Sequence, residues 1–399
     1  SGESFEITDQ DRILLEKFDV PEPTLCPRER LRRRYAWRNE HILYRRDCDM
    51  CRKNTVSLYA SDAPHPVYCA SCWRGDGWDP RDYGRVFDFD RPFFEQFKAL
   101  QHDVPRIALY NKNSINSEFT NHSGDNKNCY LCFATFGSEN IMHSTVILDS
   151  KDSCDCFTLE SKGSELCYEI VNGIGAYKCQ FGFLLKDCAE CYYCFDMHGC
   201  QNCFMSCNQR NKSYLWNNEQ LSKDEWHERF HNMQLGSYAQ RHNLRDHWVQ
   251  TITNEALHRP LVMESCVASK GDFLFNAKNV TASFDVLDIE DSRHCAVGEY
   301  IKDAMDCYSF GINVELDYEG HAVVRAVDCQ FCNLCYDATH LRYCDNCQNS
   351  DHLFGCISAK KNSYCILNKQ YTKVEYQELC KKIGAYMKST GEYGEFFPI

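Results

Sequence analysis

Across 129–207 and 266–365, short β-branched and aromatic runs alternate with Asn, Asp and Gly every few positions, which predicts strands and turns rather than helices. Polar turn signals such as Lys151-Asp-Ser153, Lys186-Asp187, Gly199, Asp345-Asn346 and Asn349-Ser-Asp351 punctuate both stretches. Between them the spacing changes. Trp226, Phe230 and Met233, then Trp248, Ile252 and Leu257, fall at helical intervals, so 222–262 is predicted helical. Ser222-Lys-Asp-Glu225 and Thr372-Lys-Val-Glu375 are capping boxes: a hydroxyl caps the first turn and Glu three residues later reaches back. The boxes lie 150 residues apart inside a longer match, 211–226 against 361–376, which makes the chain an internal duplication.

Cysteine sharpens this picture. There are 28 in 399 residues, in a chain too long to need disulfide stapling, so they point to metal sites or to a small apolar filler. Five lie in 26–72, twelve in 129–207 and ten in 266–365, and the last is Cys380. Cys132, Cys156, Cys179 and Cys200 recur at intervals of 24, 23 and 21, and Cys344 to Cys365 is again 21. A recurrence of 21–24 is read as the coil length of a β-solenoid. Equivalent residues then stack about 4.8 Å apart. Cys fills such a ladder without a charge penalty, with Phe, Tyr and Leu at wider levels. Three readings stand side by side. They are a reduced core ladder, disulfides between coils, and metal or iron–sulfur binding by Cys188, Cys191 and Cys194 or by Cys329, Cys332 and Cys335. The last meets an objection, because strand positions three apart face opposite sides.

The fold class expected is mainly β with helical caps: an N-terminal zinc ribbon followed by two tandem repeat-type β-solenoid blocks. Its parts are a zinc-ribbon domain with an Arg-rich segment (1–104), block 1 (105–221), a helical cap or linker (222–262), block 2 (263–371), and a C-terminal helical cap and tail (372–399).

The ribbon rests on two knuckles, Cys48-Asp-Met-Cys51 and Cys69-Ala-Ser-Cys72, with the stretch 52–68 between them. Val56–Tyr59 and Pro66–Tyr68 supply short strands to bring them together. Four thiolates satisfy a tetrahedral Zn2+ and leave no open position for catalysis, so one structural zinc is expected on Cys48, Cys51, Cys69 and Cys72. Cys26 stands alone, with Glu29 where a second knuckle thiol would fall.

Charge is uneven. The whole chain carries −13, yet residues 26–54 hold ten Lys and Arg against four acids, leaving +6 there and −19 elsewhere. Tyr35, Trp37 and Tyr44 are interleaved with the arginines. Arg30, Arg32, Arg33, Arg34, Trp37, Arg38, Arg45 and Arg46 are therefore candidate nucleic-acid contacts. The alternative is a basic face paired with the acidic remainder of the chain.

Phe5-Glu-Ile-Thr8, Asp11, Pro21-Glu-Pro23, Leu25-Cys26-Pro27 and Arg32-Arg33 resemble the zinc-ribbon, treble-clef-like module common in bacterial proteins, less its first CxxC pair and with Glu29 in place of its last cysteine. The remainder is similar to a family of cysteine-rich zinc-ribbon/β-solenoid proteins of candidate-phyla bacteria. The stretches that carry it include Ala36-Trp-Arg-Asn-Glu40, Asp82-Tyr-Gly84, Asn126-Lys-Asn-Cys-Tyr130 and Gly391-Glu-Tyr-Gly-Glu-Phe-Phe-Pro398. The resemblance implies the fold and brings no activity with it.

Other chemistry is sparse. His227-Glu-Arg-Phe-His231 is a formal HExxH on a predicted helix. Its duplicate, Gln377-Glu-Leu-Cys-Lys381, has neither His, and Gln234 stands where the extended metalloprotease pattern requires Gly. No phosphate loop, nucleophile elbow or dinucleotide fingerprint occurs. Asp187, Asp196, Asp285, Asp288 and Asp291 would matter only if they converged, as in polymer-cleaving β-helix enzymes. No apolar run reaches the ~18 residues of a membrane helix. The first residues lack a signal peptide's basic start and apolar stretch. The expected function is a non-catalytic, zinc-stabilised binding or scaffold protein, with nucleic acid at 28–46 or a protein along the solenoid surface as partner. A polymer-acting hydrolase or lyase and a thiol-rich metal or redox protein are the alternatives. Reduced thiolates in the ribbon suggest the cytoplasm.

Overall fold

The computed structural model describes residues 2, 4–37, 39–160, 163–287, 296–299, 329–330, 339–395 and 397. Among these, seven α-helices mix with 27 short strands, and no sheet closes into a barrel. The chain opens with α1 (Asp9–Phe18) and α2 (Pro27–Tyr35). Thr8 caps α1 with Asp11 in a capping box, and Pro27 starts α2 where a missing N–H costs nothing. An antiparallel pair, β1 (Tyr44–Asp47) and β2 (Asn54–Ser57), follows, then β3 (Val67–Tyr68), α3 (Ala70–Arg74) and α4 (Phe93–Asp103). After α4, β4 (Arg106–Ile107) pairs in parallel with β3.

From Asn111 to Gln220 runs a 14-stranded sheet in which most strands pair in parallel with the stretch twelve positions on. Tyr168 faces Gln180, then Tyr192, Phe204 and Trp216 in succession. The local cause is a left-handed residue at almost every third position, as at Asn140, His143, Val146, Asp149, Asp152, Asp155 and Thr158. Asn and Asp adopt this conformation most readily, which explains the polar punctuation. Each left-handed residue bends the chain and turns the next side chain inward: Ile141, Ser144, Ile147, Ser150, Ser153, Cys156 and Leu159 are all buried. One return thus makes four short sides of three positions each.

This register corrects the 21–24-residue coil length. Cys132 to Cys156 spans two full returns, but Cys179 to Cys200 spans seven three-position steps and lands on a different side. The strand-face objection is also overturned, because Cys188, Cys191 and Cys194 all point inward and are buried. Period three replaces period two wherever a left-handed residue separates the inward positions. The narrow interior holds Cys, Ile, Leu, Ala and Met, from Cys129 to Leu215. The aromatic rings lie outside it, in a cluster of Phe181, Tyr193, Phe204 and Trp226.

Inward Ser and Cys also answer the backbone. Ser138 Oγ donates to the Phe136 carbonyl at 2.9 Å and accepts the Ser150 N–H, one return later, at 3.1 Å. Ser144 does the same with Met142 and Cys156. Cysteine repeats the arrangement with longer bonds: Cys356 Sγ donates to Phe354 and accepts the Asn368 N–H at 3.4 Å. A small side chain with a hydrogen-bonding tip fits this corner better than a larger apolar one.

The duplication is visible in three dimensions. Ser213–Trp216 turns into Glu219–Gln220 and then α5 (Lys223–His231), followed by α6 (Tyr238–Asn254). Ser363–Ile366 turns into Lys369–Gln370 and then α7 (Lys373–Thr390). Both capping boxes form as expected, and both hairpins carry a left-handed Asn, Asn218 and Asn368. The second block has parallel strands at Met263–Glu264, Lys270–Phe275, Thr281–Leu287 and Ala296–Glu299, then at 329–330, 341–342, 351–354 and 363–366. Its register keeps nearly the same return: Lys270 faces Thr281, Phe284 faces Ala296, and Leu341 faces Leu353.

Residues 1–104 contribute to two cores. Leu14, Leu15, Phe18, Phe93, Phe97 and Leu100 pack with Tyr343, Phe354, Ile366, Ile383 and Met387 at the far end of the chain. Val56, Leu58 and Trp73 instead pack with Ile107, Leu109 and Tyr110 at the start of the first sheet. Lys360 Nζ donates to the Trp73 carbonyl, Asn368 Nδ2 to that of Pro80, and Arg106 pairs with buried Asp345 at 2.7 Å. The N-terminal module therefore joins the beginning of one sheet to the end of the other.

Candidate metal centre

The first knuckle follows β1. Cys48 N–H donates to Lys53, and Arg52, left-handed at φ 61, returns its N–H to Cys48 at 2.9 Å. This closes a tight turn that aims Cys48 and Cys51 the same way. The second knuckle begins at Cys69, the N-cap of α3, and puts Cys72 on that helix. Asp49 ties the two together. Its backbone N–H donates to the Val67 carbonyl at 3.0 Å, and its Oδ2 accepts the Val67 N–H at 2.7 Å and Arg46 Nη2 at 2.8 Å. Trp73, fully buried, anchors α3 by donating from Nε1 to the Pro105 carbonyl.

The result is a compact sulfur cluster. The donor atoms of Cys48, Cys51, Cys69 and Cys72 all lie within 4.8 Å of one another, and Cys51 Sγ is 3.9 Å from Cys69 Sγ. A tetrahedral ion with sulfur bonds of about 2.3 Å places its ligands about 3.8 Å apart. The Cys69 N–H donates to Cys48 Sγ at 3.2 Å, a bond suited to a thiolate. Burial pushes the Cys69 thiol up, but bonds from the Ser71 hydroxyl and from Cys72 outweigh it and hold the group at about 7. Cys72, which keeps the proton it shares with Cys51, is pushed up to about 12. Four thiols this close cannot all ionise without a cation between them, so the group can hold a metal ion.

The other thiols differ. The 23 cysteines whose side chains the structure describes are free, so none of these is in a disulfide. Among the described residues only one further group of three or more donors meets at ligand distances, and it contains no cysteine. Cys188, Cys191 and Cys194 instead donate to backbone carbonyls, Cys191 to Ala189 and Cys200, Cys194 to Tyr192 and Cys203. Burial pushes Cys156 up to about 12 and Cys356 well above its ordinary value, which keeps both protonated. Cys332 and Cys335 lie outside the described residues.

The Arg-rich segment divides. Arg30, Arg34 and Arg46 are buried, Arg33 is mostly buried and pairs with Glu395 at 3.2 Å, and Trp37 packs on Phe397. Arg32 and Arg45 are exposed, Arg45 lying over the Phe119 ring, and Arg38 is outside the described residues. Pairing with the acidic remainder of the chain is the alternative reading of this charge; Arg33 makes such a pair with Glu395, while Arg46 pairs with Asp49 inside the segment. His227, Glu228 and His231 lie exposed on α5 and belong to no three-donor group among the described residues.

A cleft of about 220 Å³ lies between the two blocks, and its charged groups are paired with each other. Asp196 accepts from Arg210, Arg259 and Asn208, and Lys186 meets Glu264 at 2.9 Å. Asp187 faces His198 rather than a second carboxylate. Asp288 and Asp291 lie outside the described residues, as does the side chain of Asp285. No helix among the described residues is long and apolar enough to cross a membrane. No protein-family model matches the chain, and no curated protein matches it.

Proposed function

We propose that the chain is a zinc-stabilised, non-catalytic binding scaffold: a zinc ribbon that clamps together two β-solenoid blocks of four-sided coils. The closed set of four thiols, all within 4.8 Å, is the observation that supports this reading most directly. Zn2+ prefers sulfur-rich tetrahedral sites, and a fourth protein ligand leaves no position for substrate. The ion would hold both knuckles and, through Asp49 and Trp73, the module that touches both sheets. Its contribution is folding free energy at that joint.

The partner surface follows from the outer row Tyr130, Met142, Cys154, Tyr168, Gln180, Tyr192, Phe204 and Trp216, whose members pair in register. At the far end Phe230 of α5 covers Tyr192 and Phe204. At the near end Tyr130 and Met142 are exposed. This uncovered continuation of an already packed row suits a protein segment with an apolar face, as α5 has. Nucleic acid is the second reading. It retains Arg28, Arg32 and Arg45 as exposed cations, and Arg45 above Phe119 favours stacking.

Metal analysis of purified full-length chain, with the ligand shell read by X-ray absorption, tests the core of this reading. About one zinc per chain in a sulfur-only shell supports it, and further sulfur-bound ions or visible colour would replace it with the thiol-rich redox reading. Photocrosslinking from position 130 or 142 then separates the partners. Nucleic-acid affinity, if present, should have a log–log salt slope of about −2.7 where these three arginines alone meet phosphate.

A further inference from the structure

The second block carries a donor group that owes nothing to cysteine. Its register sets Leu341 beside Leu353, so His340 and His352, one return apart, stand side by side on neighbouring strands. Their rings stack at 4.5 Å with 24° between planes. Asp351 lies between them, with Oδ1 3.3 Å from His340 Nδ1 and Oδ2 2.7 Å from His352 Nδ1. The donor atoms of all three residues are within 4.8 Å of one another.

We propose that His340, Asp351 and His352 form a second metal site, taking a divalent transition ion of the zinc, nickel or iron(II) class through two imidazoles and one carboxylate. The chemistry of the set supports this: imidazole suits these ions, and a single carboxylate adds charge without the softness of thiolate. The spacing supports it too. With metal–ligand bonds of about 2.1 Å, neighbouring donors of an octahedral or tetrahedral ion sit about 3.0–3.4 Å apart. Of the two nitrogen–oxygen separations, 3.3 Å lies within that range and 2.7 Å falls about 0.3 Å short of it.

His352 Nδ1 is buried, 2.7 Å from Asp351 Oδ2 and without a well-aligned hydrogen-bond partner, so it stands beside the carboxylate with which it would share an ion. The donors are also held from outside. Thr339 Oγ1 donates to Asp351 Oδ1 at 2.5 Å, and the His352 ring rests against Tyr364 one strand on and against Tyr376 of α7. Such supporting contacts orient ligands and are themselves worth affinity. His340 and Asp351 are 50% and 43% exposed, so water or a small ligand can reach the remaining coordination positions. Unlike the four-thiol cluster, this is an open site.

Calorimetric titration of Ni2+ into tag-free full chain, metal-stripped and then given one equivalent of zinc to fill the four-thiol cluster, tests it. One further ion per chain is expected, and Co2+ in its place should show weak d–d bands without thiolate charge transfer. His352→Ala should weaken binding by about 100-fold, and Thr339→Val by about 10-fold through loss of the supporting bond. His340→Gln, at a half-exposed position, provides a variant that leaves the core untouched and should weaken binding comparably. Replacing both His227 and His231 by Ala on α5 should change nothing. The proposal fails if no nickel binds, if binding survives both His340→Gln and His352→Ala, or if it disappears with the α5 pair.

Discussion

Replacing Cys191 separates a packing thiol from a metal ligand. The side chain is fully enclosed, and its Sγ donates toward the Ala189 carbonyl at 3.4 Å and the Cys200 carbonyl at 3.6 Å. Serine at equivalent inward positions makes the first of these bonds at 2.7–2.9 Å, as Ser144 and Ser138 show. Cys191→Ser therefore keeps a hydrogen bond and gives up the apolar transfer of one sulfur, a net loss of about 1 kcal/mol. Cys191→Ala removes a methyl-sized group together with the bond, costing about 1–2 kcal/mol. Cys191→Leu overfills a side only three positions long and costs about 1–3 kcal/mol. Urea unfolding in reducing buffer, followed by circular dichroism with metal content measured in parallel, reads all three. The expected result is small, graded losses with unchanged metal content. A structural zinc contributes on the order of 10 kcal/mol, so removing a ligand would strip the ion and unfold the region. Collapse of Cys191→Ser together with metal loss would show that this thiol is a ligand and not filler.

Asp49→Ala should cost about 2 kcal/mol by leaving buried Arg46 with only the Ala60 carbonyl, and should lower affinity at the four-thiol site about 10-fold; metal competition and thermal melting check both effects. Asn368→Ala leaves the Ile357 N–H unpaired and places Ala at φ 62, a loss of about 3 kcal/mol by chemical denaturation, of which Asn368→Gly should recover the backbone share. His65 is held down to about 3, first by burial and then by the charges of Arg106, Arg46 and His102. Its folded value lies below the unfolded one, so the stability it contributes is complete above pH ~6.5 and is lost as pH falls from there toward 3. Thermal melts of His65→Phe against the parent should differ progressively across that window.

Much of the plan is legible in the sequence because it rests on short, local signals. The capping boxes at Ser222 and Thr372 form where hydroxyl and carboxylate spacing places them, and the repeat offset reappears as matching hairpin and helix. The CxxC pairs converge because one knuckle is a tight turn after β1 and the other leads from β3 into the first turn of α3. The coil length is hidden because cysteine marks only some inward positions. Ser144, Ile147, Leu159, Ala176 and Gly182 hold others, so counting one residue type skips whole sides. Gly182 is there for space: a Cβ would come within 2.4 Å of Leu185. The left-handed residue at every third position is the decisive signal, since ordinary strands repeat every two. The fate of the arginines is equally hidden. Arg30 and Arg34 lie on a buried face of α2 and Arg33 reaches Glu395, and nothing local to 26–54 announces that. His340 and His352 become neighbours only once the length of the return is known.

Thiol alkylation mapped by mass spectrometry, before and after chelation, tests most directly whether the inward thiols are filler and the four-thiol cluster alone among the thiols holds an ion. Half-buried Cys154, Cys266 and Cys380 should label under both conditions. Chelation should add Cys48, Cys51, Cys69 and Cys72 and leave Cys129 through Cys203 otherwise unlabelled until the chain unfolds. Labelling of Cys188, Cys191 or Cys194 on chelation alone would mean that the ladder itself binds metal, and the division between filler and ligand would fall.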